Sequence, residues 1–228
     1  MSNGDSTIVG RRRVLKGAAL VGAAVLTPSL AANAQNQPKV MPMSGNMTGD
    51  MTADEIRSLL KLEPNATCGF VRVTFLSKEK IAAGGLPPPF ADGQPLGSAL
   101  YFLVTADAPV RLHRIRNDQL YHYYLGDPLE LFLLHVDGSS ERIIVGPDLR
   151  AGQRVQLLIP GNTFHTAWLL GRGRWFLGAS TEWPGVVPAD VEIGKLDELA
   201  GKYPAVAAEL RAIAASVKPV IQTGVGPR

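Results

Sequence analysis

The chain has 228 residues, of which 46% are hydrophobic, 19% charged and 7% aromatic. This apolar content is too high, and the charge too low, for an intrinsically disordered protein. The length allows one fair-sized domain or two small ones with a buried core. A single cysteine excludes an intrachain disulfide and a cysteine-based metal cluster.

The net charge of +3 comes from the start of the chain. The first sixteen residues hold four of the 23 basic residues and one of the 20 acidic ones, so 19 of each remain in the rest. A nucleic-acid-binding protein needs a basic surface. Because the remaining body is neutral, the sequence predicts that nucleic acid is not a partner.

The first 34 residues have the order of a signal peptide, which runs from a basic segment through an apolar one to a small-residue cleavage site. These parts are residues 10–16 (GRRRVLK), residues 17–26 (GAALVGAAVL) and residues 32–34 (ANA). The apolar run is shorter than the roughly 20 residues of a membrane span. The arginines resemble a twin-arginine export signal. We therefore expect cleavage near Ala34 and a periplasmic or secreted protein that no longer contacts the membrane.

The mature chain begins with a flexible linker and a short helix. Residues 35–51 are polar and aperiodic, which predicts the linker. Residues 52–60 (TADEIRSLL) predict a helix, because Thr52 and Glu55 have the spacing of a capping box. The cysteine, Cys68, has no internal partner in an oxidising compartment, and the neighbouring apolar residues favour its burial in the core.

Short apolar or alternating runs separated by turn residues fill the middle of the chain. They cover residues 70–76, 98–105, 110–116, 119–125, 129–136, 142–145, 155–159, 165–170 and 175–181. Strands at this spacing, with no crossover helix between them, predict an all-β sandwich or barrel. Residues 196–217 predict helices broken at Pro204. We expect a single domain over residues 52–217, followed by a tail at 218–228.

Three polar residues are expected to converge inside this barrel. Strand alternation places His113 on the same face as Arg111, and Gln119 on the same face as Tyr121. His165 follows the turn at residues 160–164 and joins them. The other histidines, His122 and His135, are expected to point elsewhere, His122 in a structural hydrogen-bonding role and His135 on the surface or near a turn.

The residues around these positions resemble the cupins. His113-x-Ile115-x3-Gln119-x6-Gly126 has the spacing of the first cupin motif, and Pro160-x4-His165 resembles the second. Residues 99–103 (ALYFL), 118–131 (DQLYHYYLGDPLEL) and 146–149 (GPDL) are similar to cupin family five, a group of uncharacterised cupins related to sugar-nucleotide epimerases and sugar-phosphate isomerases. The resemblance covers residues 52–210.

The resemblance implies a jelly-roll-like double-stranded β-helix barrel, usually a homodimer, with a pocket at one barrel mouth. It matches His113 and His165 to motif histidines. Ile115, however, replaces the second motif histidine and Gln119 replaces the glutamate. A divalent transition metal held by His113, His165 and Gln119 would therefore have an incomplete ligand set. The alternative is a polar cluster without a metal.

Three functions remain open, and in each of them the barrel binds a small molecule. One is binding of a small polar, sugar-like ligand with isomerase- or epimerase-type chemistry, in which His113 is the base and Tyr101 or Tyr121 the acid. Arg111, Gln119 and His165 would bind that ligand, Arg111 through a carboxylate or phosphate. The second is a metal-dependent oxygenase or isomerase. The third is a ligand-binding protein without chemistry, since the fold alone does not choose among functions.

Overall fold

The computed structural model describes residues 51–171 and 173–216, which all lie in one compact unit. The predicted signal peptide, residues 35–50 of the predicted linker and the predicted tail lie outside the described residues. No helix in the described part of the chain is long and apolar enough to cross a membrane.

The first described element is helix α1 (Ala53–Leu60), which begins where the sequence predicts. The Thr52 backbone N–H donates to the Glu55 carboxylate at 2.6 Å, and the Glu55 N–H donates to the Thr52 hydroxyl at 3.2 Å. This reciprocal pair satisfies two amides that a helix start would leave without partners. Lys61 ends the helix with φ of 53°, and Ile56 buries its side chain against the barrel. The predicted capping box is confirmed.

The strands of the described residues form two antiparallel sheets. They are β1 (Glu63–Pro64), β2 (Phe70–Leu76), β3 (Ser98–Thr105), β4 (Val110–Ile115), β5 (Asp118–Gly126), β6 (Leu129–Leu134), β7 (Ser140–Val145), β8 (Gln156–Ile159), β9 (Phe164–Leu169), β10 (Trp175–Trp183) and β11 (Val191–Ile193). The six-stranded sheet has the order β1-β2-β3-β10-β5-β8, and the five-stranded sheet has the order β11-β4-β9-β6-β7. Every predicted strand is present. The sequence missed β1 and β11, which are very short and exposed throughout.

The main core fills the space between the two sheets. Phe102 of β3, Tyr121 of β5, Leu131 of β6 and Phe176 of β10 are completely buried there. Alternation along each strand sends every second side chain into this core. The predicted all-β barrel is confirmed.

Two helices close the described chain and cover the outer face of the five-stranded sheet. They are α2 (Leu196–Lys202) and α3 (Ala207–Ser216), and a 3-10 turn beginning at Pro204 joins them. Leu199, Tyr203 and Leu210 pack with Phe132, Leu134 and Phe164 of the sheet. Strand β6 in the interior of this sheet is therefore buried on both faces, which explains why it is a nearly continuous apolar run. The predicted helix break at Pro204 is confirmed.

Candidate functional site

A cavity of about 430 Å³ opens into the barrel. It is bounded by β2, β3, β4, β5 and β10 and by the loops at residues 65–68 and 186–191. Most of its wall is aliphatic and comes from Val71, Val73, Leu76, Leu100, Ile115 and Val191. Its volume falls in the range of small-molecule pockets, about 300 to 1,000 Å³.

The two predicted motif histidines meet inside the barrel. His113 of β4 and His165 of β9 are register partners on neighbouring strands, and their ring centroids are 4.3 Å apart. The prediction that these rings converge is confirmed. The two have different surroundings, however, because His113 lines the cavity and His165, which is 0% exposed, does not. His165 lies behind the cavity wall rather than in it.

Backbone carbonyls determine which nitrogen of each ring carries a hydrogen. Nδ1 of His113 donates to the carbonyl oxygen of Arg111 at 2.7 Å, and Nδ1 of His165 donates to that of Thr163 at 3.3 Å. A carbonyl only accepts, so Nε2 of each neutral ring carries a lone pair. The Tyr121 hydroxyl donates to Nε2 of His165 at 3.1 Å. The partner of His113 Nε2 among the described residues is the weakly donating thiol of Cys68, whose sulfur lies 3.9 Å away.

Burial keeps both histidines neutral. Loss of hydration lowers the pKa of His113 to about 4 and lowers the pKa of His165 well below 6.5. The role of base that the sequence predicts for His113 therefore does not rest on an ordinary histidine pKa near neutrality. Its lone pair can accept a hydrogen bond at pH 7, but the ring is a weak base.

A buried carboxylate faces the same cavity, and the sequence analysis missed it. Glu182 of β10 is 3% exposed and lines the cavity. It accepts hydrogen bonds from the hydroxyls of Ser98, at 2.5 Å, and Ser180. Burial raises the pKa of Glu182. The sequence analysis overlooked Glu182 because this residue lies just beyond the predicted strand 175–181. Continuing the strand alternation past Ser180 would have placed Glu182 on the same face.

Gln119 stands beside this carboxylate. Glu182 is the register partner of Gln119 on one side and of Ser98 on the other, so the three side chains form a row across β5, β10 and β3. Gln119 is 4% exposed and lines the cavity, as the sequence predicts. None of the described residues forms a hydrogen bond with its side-chain amide, although a buried amide normally has a partner. Its polar end is therefore available to a molecule in the cavity.

Besides His165, two further predicted site residues lie outside the cavity. Tyr101 was expected to point inward and does not, because its neighbours Leu100 and Phe102 take the inward positions on β3. Tyr101 packs in the cluster beneath α1, with its ring 6.0 Å from that of Tyr124. Arg111 was expected to share the face of His113. An irregularity in the β4–β9 pairing shifts the alternation, and Arg111 is exposed and donates to the Ala66 carbonyl at 3.3 Å.

The remaining histidines lie where the sequence places them. His122 bonds to Thr181 Oγ1 at 2.9 Å on the outer side of the six-stranded sheet. His135 follows β6 at a turn, 3.6 Å from the Glu141 carboxylate. Cys68 packs against the core and also lines the cavity, and burial raises the pKa of its thiol to about 11. The cysteine is therefore both a core residue and part of the cavity wall.

The donor set does not fit a metal ion. Within residues 51–171 and 173–216 there is no group of three His, Cys, Asp or Glu side chains that could hold one. The Nε2 lone pair of His165 accepts the Tyr121 hydroxyl, and His113 is the only imidazole that lines the cavity. A first-row transition metal needs three or four nitrogen, oxygen or sulfur ligands. We therefore derive no chemical step through a metal.

Two antiparallel sheets around a core, with the motif histidines paired inside, define a cupin barrel. The chain belongs to the family described as "Cupin superfamily (DUF985)", whose model matches residues 54–194. It is similar to a hypothetical protein from Leishmania major, at 24% identity and a TM-score of 0.64 over 71% of this chain and 98% of that one. It is also similar to a protein from Shewanella oneidensis, at 24% identity and a TM-score of 0.63 over 75% and 99% of the respective chains.

Both structures share the fold with this chain. No curated protein matches it. The predicted membership of the cupins is confirmed, and the function must be argued from the cavity.

Proposed function

We propose that this cupin binds one small molecule in its barrel, with an apolar body against the aliphatic wall and a polar end at the row of Gln119 and Glu182. The observation that carries the proposal is the side-chain amide of Gln119, which is buried, faces the cavity and has no hydrogen-bond partner among the described residues. A ligand that pairs with this amide gains a hydrogen bond, worth about 0.5 to 1.5 kcal/mol net.

The residues that line the cavity favour a ligand that is less polar than a sugar phosphate. Sugars need many hydrogen-bonding groups around the ring, whereas most of this wall is aliphatic. No lysine or arginine of the described chain lines the cavity, so a phosphate would have no cationic partner. The relation to sugar-nucleotide epimerases that the sequence suggests therefore receives no support from the lining.

The single cysteine provides the test. Cys68 lines the cavity, so a ligand bound there should slow its alkylation by a small thiol reagent. A fragment library is screened for compounds that slow the alkylation of Cys68, and each hit is measured again with the Val73→Trp variant. This substitution narrows the cavity at a side chain that is 59% exposed. The matched control is Leu158→Trp, at a 55% exposed position outside the lining.

We expect protection in the wild type and in Leu158→Trp, and its loss in Val73→Trp. A library in which no fragment slows the alkylation of Cys68 would contradict the proposal. Equal protection of both tryptophan variants would also contradict it, because binding would then lie elsewhere.

One observation favours a second candidate, an isomerase that transfers a proton. His113 lines the cavity, the weak Cys68 thiol is the partner of its Nε2 among the described residues, and the Arg111 carbonyl holds the ring in place. Nε2 of His113 would take a proton from a carbon next to a ligand carbonyl, and the imidazolium that forms would return the proton to the resulting enolate at a different position. Tyr121 is a poor acid here, because its hydrogen is donated to His165 and burial raises its pKa well above 10.

Exchange of ligand C–H for deuterium in D₂O tests this chemistry by NMR on each fragment hit that carries a carbonyl. We expect exchange with the wild type and none with His113→Asn. Exchange no faster than in buffer would leave binding as the function and reject the isomerase.

We further propose that the protein acts after export, in the periplasm or outside the cell. Residues 1–34 support this, since they have the order of a twin-arginine signal. Replacing Arg11, Arg12 and Arg13 by lysine should retain the full-length precursor in the cytoplasm. Export of that variant at the normal level would reject the twin-arginine route.

A homodimer is a separate proposal. Val73, Phe75 and Leu76 of β2 are each more than half exposed, and apolar side chains on a strand near a sheet edge are commonly covered by another chain. Light scattering at about 50 μM should give twice the monomer mass. A monomer mass at that concentration would contradict the proposal.

A further inference from the structure

The hydroxyl hydrogens around the cavity are all used within the protein. Ser98 and Ser180 donate to the two oxygens of Glu182, and the Val186 N–H donates to the Ser98 oxygen at 3.1 Å. Tyr121 donates its only hydroxyl hydrogen to His165. None of these three hydroxyls has a second hydrogen to offer to a ligand.

The strongest hydrogen-bonding groups at the cavity wall are acceptors. Glu182 has lone pairs beyond the two that the serines use, Gln119 presents its carbonyl oxygen, and His113 presents Nε2, whose partner within the described protein is only the weak Cys68 thiol. The donors at the same wall are neutral: they are the amide hydrogens of Gln119 and Asn65 and the weak thiol of Cys68, which lies 3.9 Å from His113 Nε2. A ligand that satisfies this wall must therefore supply several hydrogen-bond donors.

The charge of Glu182 also favours a ligand that donates hydrogen bonds. Glu182 is 3% exposed, and its side-chain oxygens accept from the two serine hydroxyls rather than from a basic side chain. The histidine that lines the same cavity, His113, is neutral at pH 7, because burial lowers its pKa. A buried carboxylate without a cationic partner is costly. A positive charge brought by the ligand would offset that cost.

We infer that the ligand is a small organic amine, bound as its ammonium ion between Glu182, Gln119 and His113 with its hydrocarbon part against the aliphatic wall. An ammonium group has three N–H donors and no acceptor, which complements the free groups described above. The inference rests on the proposed small-molecule binding and specifies the class of ligand.

Three cyclohexyl compounds of similar size and different charge test the class at pH 7: cyclohexylamine (a cation), cyclohexanol (neutral) and cyclohexanecarboxylate (an anion). Their affinities are measured by protection of Cys68 from alkylation and by calorimetry. We expect cyclohexylamine to bind at least about tenfold more tightly than cyclohexanol, since hydrogen bonds to charged groups are stronger than neutral ones, and the carboxylate to bind most weakly.

Glu182→Gln removes the charge and keeps the shape of the side chain. The variant should bind cyclohexylamine at least about tenfold more weakly than the wild type does, and its affinity for cyclohexanol should change by no more than about twofold. Glu79→Gln removes the same charge from an exposed residue outside the lining and should change neither affinity. Gln119→Met should weaken the amine by a smaller factor, because one neutral acceptor is lost. Circular dichroism confirms that each variant is folded, and the wild-type comparison needs no variant.

Cyclohexanol or the carboxylate binding as tightly as the amine would overturn the amine class. The fragment screen would still support binding in that case, so the two proposals fail separately. An amine preference that persists in Glu182→Gln would overturn the role of Glu182. Absence of binding by all three probes at millimolar concentration would overturn the inference as well.

Discussion

The hydroxyl of Tyr121 donates a hydrogen bond of 3.1 Å to Nε2 of His165, and both side chains are completely buried. This contact separates the second motif histidine from the cavity and leaves His113 as the imidazole that a ligand can reach. The site is therefore a wall of hydrogen-bond acceptors rather than a cluster of metal ligands.

Tyr121→Phe should destabilise the fold through this contact. The variant keeps the ring and leaves Nε2 of His165 as a buried acceptor without a partner, which should lower the free energy of unfolding by about 1 to 3 kcal/mol. Urea unfolding measures the change. The matched control is Tyr124→Phe, since Tyr124 is 45% exposed, and its effect should stay within about 0.5 kcal/mol. Equal effects in the two variants would show that the bond contributes nothing.

The buried histidines should make the protein sensitive to mild acid. The unfolded chain protonates its histidines near pH 6.5, whereas the folded His113 has a pKa of about 4 and His165 a still lower one. As the pH falls from 6.5 towards 4, the unfolded state takes up protons that the folded state does not. Stability therefore falls across this window, by an amount on the order of 2 kcal/mol or more.

Glu182 acts in the opposite direction. Its pKa is raised in the folded state, so the folded chain binds its proton first and this contribution is lost as the pH rises through the folded value. Urea midpoints between about pH 7.5 and 4.5 should therefore fall more steeply in Glu182→Gln than in the wild type, and less steeply in His113→Asn. Parallel pH profiles for all three proteins would contradict the assignment.

The glycine of the first motif should be required for packing as well as for its backbone angle. Gly126 and Gly138 both have φ near +90°. A Cβ on Gly126 would lie 2.3 Å from the Trp175 carbonyl oxygen, whereas one on Gly138 would meet nothing within 4 Å. Gly138→Ala should cost about 1 to 2 kcal/mol from the backbone angle alone, and Gly126→Ala clearly more. If thermal unfolding shows similar decreases in stability for the two variants, only the backbone φ angle matters and the contact with Trp175 does not.

Chelation should leave the protein unchanged. Because the donor set does not fit a metal, treatment with EDTA should leave the melting temperature within about 1 °C. Stoichiometric nickel, cobalt or zinc should also have no effect. A metal-dependent rise in melting temperature that disappears in His113→Asn would show that the site binds metal despite its ligand set.

The order of elements could be read from the sequence because local signals determine it. The capping box at Thr52 and Glu55 marks the first helix, apolar or alternating runs mark β2 through β10, and Pro204 marks the break between the last helices. These features depend on neighbours within a few residues. Strands β1 and β11 lack any such pattern, so the sequence did not reveal them.

The composition of the cavity depended on contacts between distant parts of the chain. The sequence indicated His113 and Gln119, but an irregular pairing of β4 turned Arg111 outward and the alternation of β3 placed Tyr101 beneath α1. The partnership of Ser98 with Glu182, 84 residues apart, appears in no local pattern.

Local propensity and hydrophobic periodicity by themselves determined an all-β barrel flanked by helices. The reason is that the spacing of apolar residues within each strand or helix shows which of its faces is buried. Only the tertiary structure decided which histidine faces the cavity and where the negative charge lies. Strand register, bulges and hydrogen bonds across the barrel set those positions, and they follow from how distant segments pack together.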